Sequence, residues 1–435
     1  MPADERSLND IAWEKVFAAL PLQEGLNSDG FVFIPADNLK LYGKREPRLM
    51  AKLDSKQSRP RIFKNLELSM LPVENGKYVI FKDEHEKSYF SFGRALEEIP
   101  IEQYQSRRES SHFDTLQLSK ISTESQAIDF AHFVSLLSTF TGDSPLFLTI
   151  RGRSRSSDFD IKLPDSQTRI SVSGVQIEID AGFETENSIF ILEAKMGKVE
   201  DFNIRQLFYP FKNWTTQTSK PVIPLFFTYS NGLFYFVRFE FGAEFGEARI
   251  IDKKCFTVNE PPKGRINLNT LLNIIEVSDE PNVPYPQAND LDKVVDLVMN
   301  YSEGLNNKES IAEFFEFDER QADYYANAAI YLGLFERDAV HRKQFLITEI
   351  GYQLASFPNR IDRNLCVLKQ MISRPSFNDI LSLFNRNSRD LSLLHPDIVA
   401  RIIQSRTNLT GTTPRRRAST VKSWVEWVVE NMEFE

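Results

Sequence analysis

The run Ile189-Phe190-Ile191-Leu192-Glu193-Ala194-Lys195 constrains this chain more than any other stretch. Its apolar residues read as a strand, and it turns charged at its end, with Glu193 and Lys195 on one face and small Ala194 opposite. Just upstream, Val175-Gln176-Ile177-Glu178-Ile179-Asp180 alternates apolar and polar residues, so Glu178 and Asp180 project from one face of a second strand. Four ionisable groups therefore end two adjacent strands. Charge beside such apolar runs is costly to bury unless it pairs, faces solvent or binds a cation. A hard divalent ion such as Mg²⁺ suits carboxylate oxygens, and one or two carboxylates with waters and a phosphate are enough to hold it.

The surrounding pattern places these strands in an α/β unit. Ser122 to Gly142 has a capped start, helical spacing through Phe130, Phe133, Leu136, Leu137 and Phe140, and a glycine stop, which predicts one helix of about five turns. Strand-like runs follow at Leu146–Ile150, Gly174–Asp180 and Ser188–Met196, then a helical run over Asn203–Gln217, then strands at Val222–Tyr229 and Leu233–Phe241. That order predicts one compact domain over residues 113–258. Residues 1–112 read as a β-rich accessory region of small strands and loops, from Gly30–Pro35 and from Lys77–Lys82 after an Asn75-Gly76 turn. Its basic cluster (Lys40, Lys44, Arg45, Arg48, Lys52, Lys56, Arg59, Arg61 and Lys64) either faces phosphate or forms an ordinary solvated surface. Proline-rich polar stretches at Asn259–Gly264 and Asp279–Pro286 read as a linker over residues 259–287.

Bulk properties narrow the possibilities further. A chain of 435 residues exceeds what one core usually holds, so several domains are expected. The net charge of −9 argues against a generally basic nucleic-acid coat, so any DNA site must be local. Cys255 and Cys366 are far apart in sequence and predict neither a disulfide framework nor a zinc knuckle, which fits a reducing cytoplasm. The start Met1-Pro2-Ala3-Asp4-Glu5-Arg6 is acidic and polar, and no stretch approaches about 18 uninterrupted apolar residues, so neither export nor membrane spanning is expected. No His-x-x-x-His pair, G-x-x-x-x-G-K-[ST] loop, G-x-G-x-x-G turn or G-x-S-x-G elbow occurs. There is no methyltransferase-like signature either.

Asp180 followed one strand later by Glu193-Ala194-Lys195 resembles the PD-(D/E)XK signature of restriction endonucleases and related repair nucleases, over roughly residues 120–245. Ile179 stands where that signature usually has proline. The resemblance implies a restriction-endonuclease-like mixed α/β core that hydrolyses DNA phosphodiester bonds with Mg²⁺. It implies metal ligation by Asp180 and Glu193, with Glu178 as a further candidate ligand, and a Lys195 that orients the attacking water and stabilises the developing charge. It also matches Glu124 to the acidic residue of the preceding helix, and Gln206 and Tyr209 to the polar positions of the following one. The alternative is that Glu193 and Lys195 form a surface pair and Asp180 merely ends a strand. Glu124 and Gln206 likewise have ordinary uses as a capping-type residue and a helix-face residue.

Beyond the linker the chain turns helical. Val294, Val295, Leu297 and Val298, then Ser310–Phe315 and Asp318–Tyr325, followed by Leu334–Arg337 and Gln344–Thr348, resemble a winged helix-turn-helix domain over residues 288–360. Glu319 and Asp323 make its second helix a poor phosphate binder, so packing is as good a reading as DNA contact. Residues 361–435 read as a second winged-helix-like DNA-binding domain. There Val421, Trp424, Val425 and Val428 form an apolar face, while Arg415, Arg416, Arg417, Ser419, Thr420 and Lys422 cluster at the helix start where DNA is usually met. The expectation is therefore a cytoplasmic, prokaryotic, type II-like restriction endonuclease acting on double-stranded DNA. It would be a homodimer if its target is palindromic, with a cognate DNA methyltransferase as genetic partner. The competing expectations are a non-catalytic winged-helix regulator and a repair or structure-specific nuclease.

Overall fold

Alternation and apolar runs become strands β1 (Phe31–Pro35), β2 (Leu68–Glu74), β3 (Lys77–Lys82), β4 (Tyr89–Ser91), β5 (Ile101–Tyr104), β6 (Phe147–Arg155), β7 (Phe159–Lys162), β8 (Arg169–Val172), β9 (Gln176–Glu184), β10 (Ile189–Met196), β11 (Asp201–Asn203), β12 (Val222–Ser230), β13 (Leu233–Phe241) and β14 (Ala248–Val258). The computed structural model describes residues 6–110, 112–262, 264–302, 304–316 and 318–435. The expectations that touched Met1–Glu5 and Lys263 lie outside the described residues. The protein is mixed α/β, built around a seven-stranded sheet ordered β5-β14-β13-β12-β10-β9-β6.

Every residue of β10 is buried. The strand runs parallel to β12 and antiparallel to β9, and the helix Arg205–Thr215 makes the crossover between the parallel pair. Its odd residues Ile189 and Ile191 join a core with Leu207 and Phe208 of that helix. Its even residues Phe190, Leu192, Ala194 and Met196 pack on the other face with Ala127, Ile128, Phe130, Leu136 and Leu137. The single long helix expected over 122–142 is two helices, Glu124–Phe133 and Leu136–Thr141. They part at Ser135, whose φ of 69° places it in the left-handed region, and Gly142 ends the second at φ 74°. The hairpin β7–β8, the edge strand β5 and its neighbour β14 were not anticipated.

The N-terminal region is less β-rich than its sequence suggests. Beside the three-stranded sheet β1-β3-β2 it carries the helices Leu8–Ala19, Leu22–Ser28, Ala36–Gly43, Pro47–Ala51 and Arg61–Asn65. Ser7 and Asp10 form a capping box on the first helix, and Trp13 and Val16 pack on Phe63 and Met50 in a separate core. Capping and tertiary burial decide for helix where the apolar spacing is short. β4 pairs with β11 and β5 with β14, so the chain joins the large sheet well before residue 112.

The stretch expected as a linker is part of the C-terminal core. Leu268 of the helix Leu268–Ile274 and Tyr285 are buried in it, and the Tyr285 and Tyr331 hydroxyls both meet Ser376. After it come the helices Leu291–Met299, Lys308–Phe315 and Glu319–Tyr331 and the antiparallel pair β15 (Phe335–Arg337) and β16 (Phe345–Ile347), the order expected of a winged helix. Residues from 361 onward differ from expectation. They form the helices Arg360–Ile372, Pro375–Arg386, Pro396–Arg406 and Thr413–Asn431, and among the described residues no β-hairpin forms a wing there. The apolar face of the last helix is as expected, with Val421, Trp424, Val425 and Val428 all at 0% exposure. Thr420 is a correction: it is buried, and its hydroxyl donates to Asn289, so it does not belong to an exposed DNA-facing cluster. Arg415, Arg416 and Ser419 are exposed, Lys422 pairs with Glu426, and Arg417 is half-buried.

Candidate functional site

The ladder between β9 and β10 runs only from Glu184–Ile189 to Ala181–Leu192. Beyond that point the strands part, and the Asp180 carboxylate takes the place of a ladder carbonyl by accepting the Ala194 N–H at 2.7 Å. On its other side β9 shifts register against β6, since Ile150 faces Gly182 while Gly152 faces Ile179. A register shift of this kind re-aims a side chain. Arg151 fills the irregularity, its Nε donating to the Asp180 carbonyl and its guanidinium pairing with Asp129.

Glu193 and Lys195 share the face of β10 that looks toward the helix Arg205–Thr215. Their side chains are 8% and 7% exposed, and Lys195 Nζ lies 3.0 Å from Glu193 Oε1. That excludes a surface pair. Gln206 donates its Nε2 to the same Glu193 oxygen at 2.7 Å, leaving its Oε1 buried without a hydrogen-bond partner. Glu124, first residue of its helix, has a charge that is felt by Glu193 and Lys195 and that itself feels Asp180. Thr123 caps that helix through the Gln126 N–H. The structure thus gathers Glu124, Asp180, Glu193, Lys195 and Gln206 at one place. Glu178 stands apart at the surface, paired with Arg153 at 3.2 Å, and Tyr209 donates to the Pro72 carbonyl away from the cluster. In the N-terminal basic cluster, Arg59 is buried and pairs with Glu86, as does Lys56.

One group at the centre was not legible in the chain. Glu316, which caps the helix Lys308–Phe315 in a left-handed conformation, reaches Lys195 Nζ at 3.1 Å. Ser55 of the N-terminal region holds the Glu316 carbonyl at 2.8 Å. Gly197 makes the approach possible: its φ is 77°, and a Cβ there would stand 3.1 Å from Phe315. Nothing in sequence spacing relates Glu316 to Lys195, 121 residues away.

Four carboxylates around one ammonium leave the site short of positive charge. Burial opposes the charge on Lys195, but Glu316, Glu193 and Glu124 outweigh it and hold the ammonium well above the usual lysine range. Burial pushes the carboxyls of Glu193 and Asp180 up, against the pull of Lys195. Glu124 is raised to about 7, by burial first and then by Asp180 and Glu316, with Lys195 opposing. Its proton is therefore retained on folding, whereas the unfolded carboxyl loses it near 4.5. The stability contributed by this group is full below the lower value and is lost as pH rises toward about 7. Glu124→Gln should accordingly flatten the fall of stability over that window, by up to about 3 kcal/mol. Urea melts of both proteins at matched pH values would measure it, and parallel curves would remove Glu124 from the cluster. The comparison must be differential, because buried Asp296 is also raised to about 7.

Every donor in the cluster is oxygen or an engaged nitrogen, the chemistry of a hard cation. Among the described residues, no three His, Cys, Asp or Glu side chains stand in a metal-holding arrangement. Asp180 and Glu193, with waters, meet the lower requirement of Mg²⁺.

Three family models match. A domain of unknown function (DUF6996) covers residues 10–80, another (DUF6997) residues 85–257, and a third (DUF7226) residues 293–433. Their limits follow the N-terminal helical and β unit, the seven-stranded sheet and the C-terminal helices. No curated protein and no solved structure matches the chain. Among the described residues no helix is long and apolar enough to cross a membrane.

Proposed function

We propose that this protein is a Mg²⁺-dependent DNA endonuclease with a PD-(D/E)XK-like core. The observation that carries the reading is the Asp180 carboxylate bound to the Ala194 N–H, which brings Asp180 together with Glu193 and Lys195 where two core strands part. An ordinary structural ion pair explains neither the surplus of carboxylates nor the Gln206 carbonyl left without a partner. Asp180 and Glu193 would hold the cation, which when bound polarises a phosphoryl oxygen and lowers the pKa of water. Lys195 supplies positive charge to the developing phosphorane, Gln206 fixes the Glu193 carboxylate, and Glu124 is poised near neutrality to take or give a proton. The winged-helix order of residues 288–360 and exposed Arg415 and Arg416 favour double-stranded DNA as substrate. A type II-like restriction enzyme of a prokaryotic cytoplasm fits this reading, homodimeric on a palindromic site and accompanied by a methyltransferase. The test is a digest of methylated and unmethylated genomic DNAs with and without Mg²⁺, with sequencing of the ends. Absence of Mg²⁺-dependent cutting on all of them leaves a non-catalytic DNA-binding regulator.

In this reading the site stands closed. Lys195 spends its charge on Glu193 and Glu316, so a phosphate must displace Glu316 to reach it. Glu316→Gln removes the competing charge while keeping the shape. It should raise kcat/KM on the order of tenfold, the worth of one charge-assisted hydrogen bond. A lowered rate in a plasmid-nicking assay would instead make Glu316 part of the working centre.

A further inference from the structure

Arg360 opens the helix Arg360–Ile372 and is 3% exposed. Its Nη2 donates to the Asn431 side chain, while its Nε and Nη1 are buried without a hydrogen-bond partner. The charge itself is answered: Glu260 Oε1 stands 3.7 Å from Nη1, too far for a hydrogen bond, and Asp292 feels the guanidinium as well. What the side chain lacks is an acceptor rather than a counter-charge. Folded proteins seldom leave buried donors in that condition.

Arg360 lines a cavity of ≈ 350 Å³ where the large sheet meets the C-terminal helices. Ile101 and Gln103 come from the edge strand β5, Glu260 and Pro262 from the chain that leaves β14, and Glu433 from the C-terminal strand that pairs with Arg265–Ile266. Small-molecule sites commonly measure about 300–1,000 Å³ and favour the junctions between domains. The carboxylates here are as underused as the guanidinium: among the described residues no cation pairs with Glu433, and Glu260 has only Arg360 at 3.7 Å. Two carboxylates against one guanidinium disfavour a bare anion, and a bare cation gives the Arg360 nitrogens nothing to donate to. The cavity therefore suits a ligand that carries an acceptor together with an excess of positive charge. Ile101, 42% exposed, and Pro262 add apolar wall along which an aliphatic stem can lie.

We propose that this cavity binds a basic α-amino acid, whose carboxylate accepts from Arg360 and whose cationic groups meet Glu260 and Glu433. The proposal does not rest on the nuclease reading. Calorimetric titration of the full chain tests it with L-arginine and L-lysine, with agmatine, which lacks the carboxylate, and with L-norleucine, which lacks the side-chain cation. The basic amino acids should bind at least tenfold more tightly than either analogue, roughly the worth of one charge-assisted hydrogen bond, and should raise the melting temperature. Arg360→Lys keeps a charge beside Glu260 but removes the guanidinium donors, and should weaken binding about tenfold. Because Arg360 also bonds Asn431, a second variant is needed whose fold is not at risk: exposed Glu433→Gln should weaken binding about threefold, and the control Lys15→Gln should bind as wild type does. No binding of either basic amino acid at millimolar concentration would overturn the proposal. Agmatine bound as tightly as L-arginine would deny the carboxylate its place on Arg360, and L-norleucine or L-glutamate bound as tightly would overturn the charge argument. Wild-type affinity in both Arg360→Lys and Glu433→Gln would place the binding outside this cavity and overturn the site.

Discussion

Lys195→Ala is expected to abolish DNA cleavage and to destabilise the protein at the same time. The catalytic loss should be roughly 10²–10³-fold or more, the usual cost of removing a group aimed at developing charge. The second effect follows from the geometry. Lys195 is the ammonium that both Glu193 and Glu316 touch, at 3.0 and 3.1 Å, and all three side chains are largely buried. Removing one member of a buried pair typically costs about 3–5 kcal/mol, because the remaining charge is left uncompensated. Here burial already pushes the carboxyls of Glu193 and Asp180 up and Lys195 opposes it, so acidification should restore part of the stability lost with that lysine. A divalent cation should restore it at neutral pH as well if the site binds one. Plasmid cleavage together with urea melts at two pH values, with and without Mg²⁺, measures all of this. A Lys195→Ala protein that still cuts would sink the assignment. One that melts like wild type at neutral pH would mean that the glutamates do not depend on this lysine.

Asp292→Ala should be the most damaging single change outside the site. Its carboxylate accepts from Lys198 at 2.8 Å, from the Trp427 indole at 2.9 Å and from the Asn231 amide at 3.0 Å, and the residue is 1% exposed. Burial opposes its charge, yet Lys198 and Arg360 hold its carboxyl well below the usual range. Asn231 and Lys198 belong to the sheet unit, Asp292 and Trp427 to the C-terminal helices, so this network ties the two together. Around it Asp296 accepts from Ser230 and from the Asn231 N–H, and Arg363 donates to the Asn231 side chain. The substitution leaves the partly buried Lys198 without a counter-charge and strands two donors, a loss of about 3 kcal/mol. Hydrogen exchange should then rise first along Leu291–Met299 and Thr413–Asn431, and protease should reach residues 259–290. A loss below about 1 kcal/mol with unchanged exchange would show that apolar packing alone docks the helices.

The sequence by itself determined the strands that carry the candidate site. A four-residue apolar run ending in Glu-Ala-Lys can bury its small residue only by keeping Glu193 and Lys195 together on the other face, because side chains in a strand alternate. The same local rules made the crossover helix with Gln206, the helix that starts at Glu124, and the apolar stripe of the last helix legible, since periodicity is written in neighbouring residues. Tertiary structure decided the rest. Glu178 shares a strand with Asp180, yet the register shift against β6 turns Asp180 inward and leaves Glu178 to Arg153. Thr420 looks exposed in the chain and is buried in the fold, its hydroxyl donating to Asn289, 131 residues away. Residues 259–287 read as a linker because prolines and polar groups interrupt their pattern, but Leu268 and Tyr285 find a core that only the assembled helices create. Glu316 enters the account from 121 residues beyond Lys195, brought there by the docking of three units. No local pattern records such a meeting, since the free energy that holds it belongs to the Asp292–Asn231 network and the packed faces rather than to either segment alone.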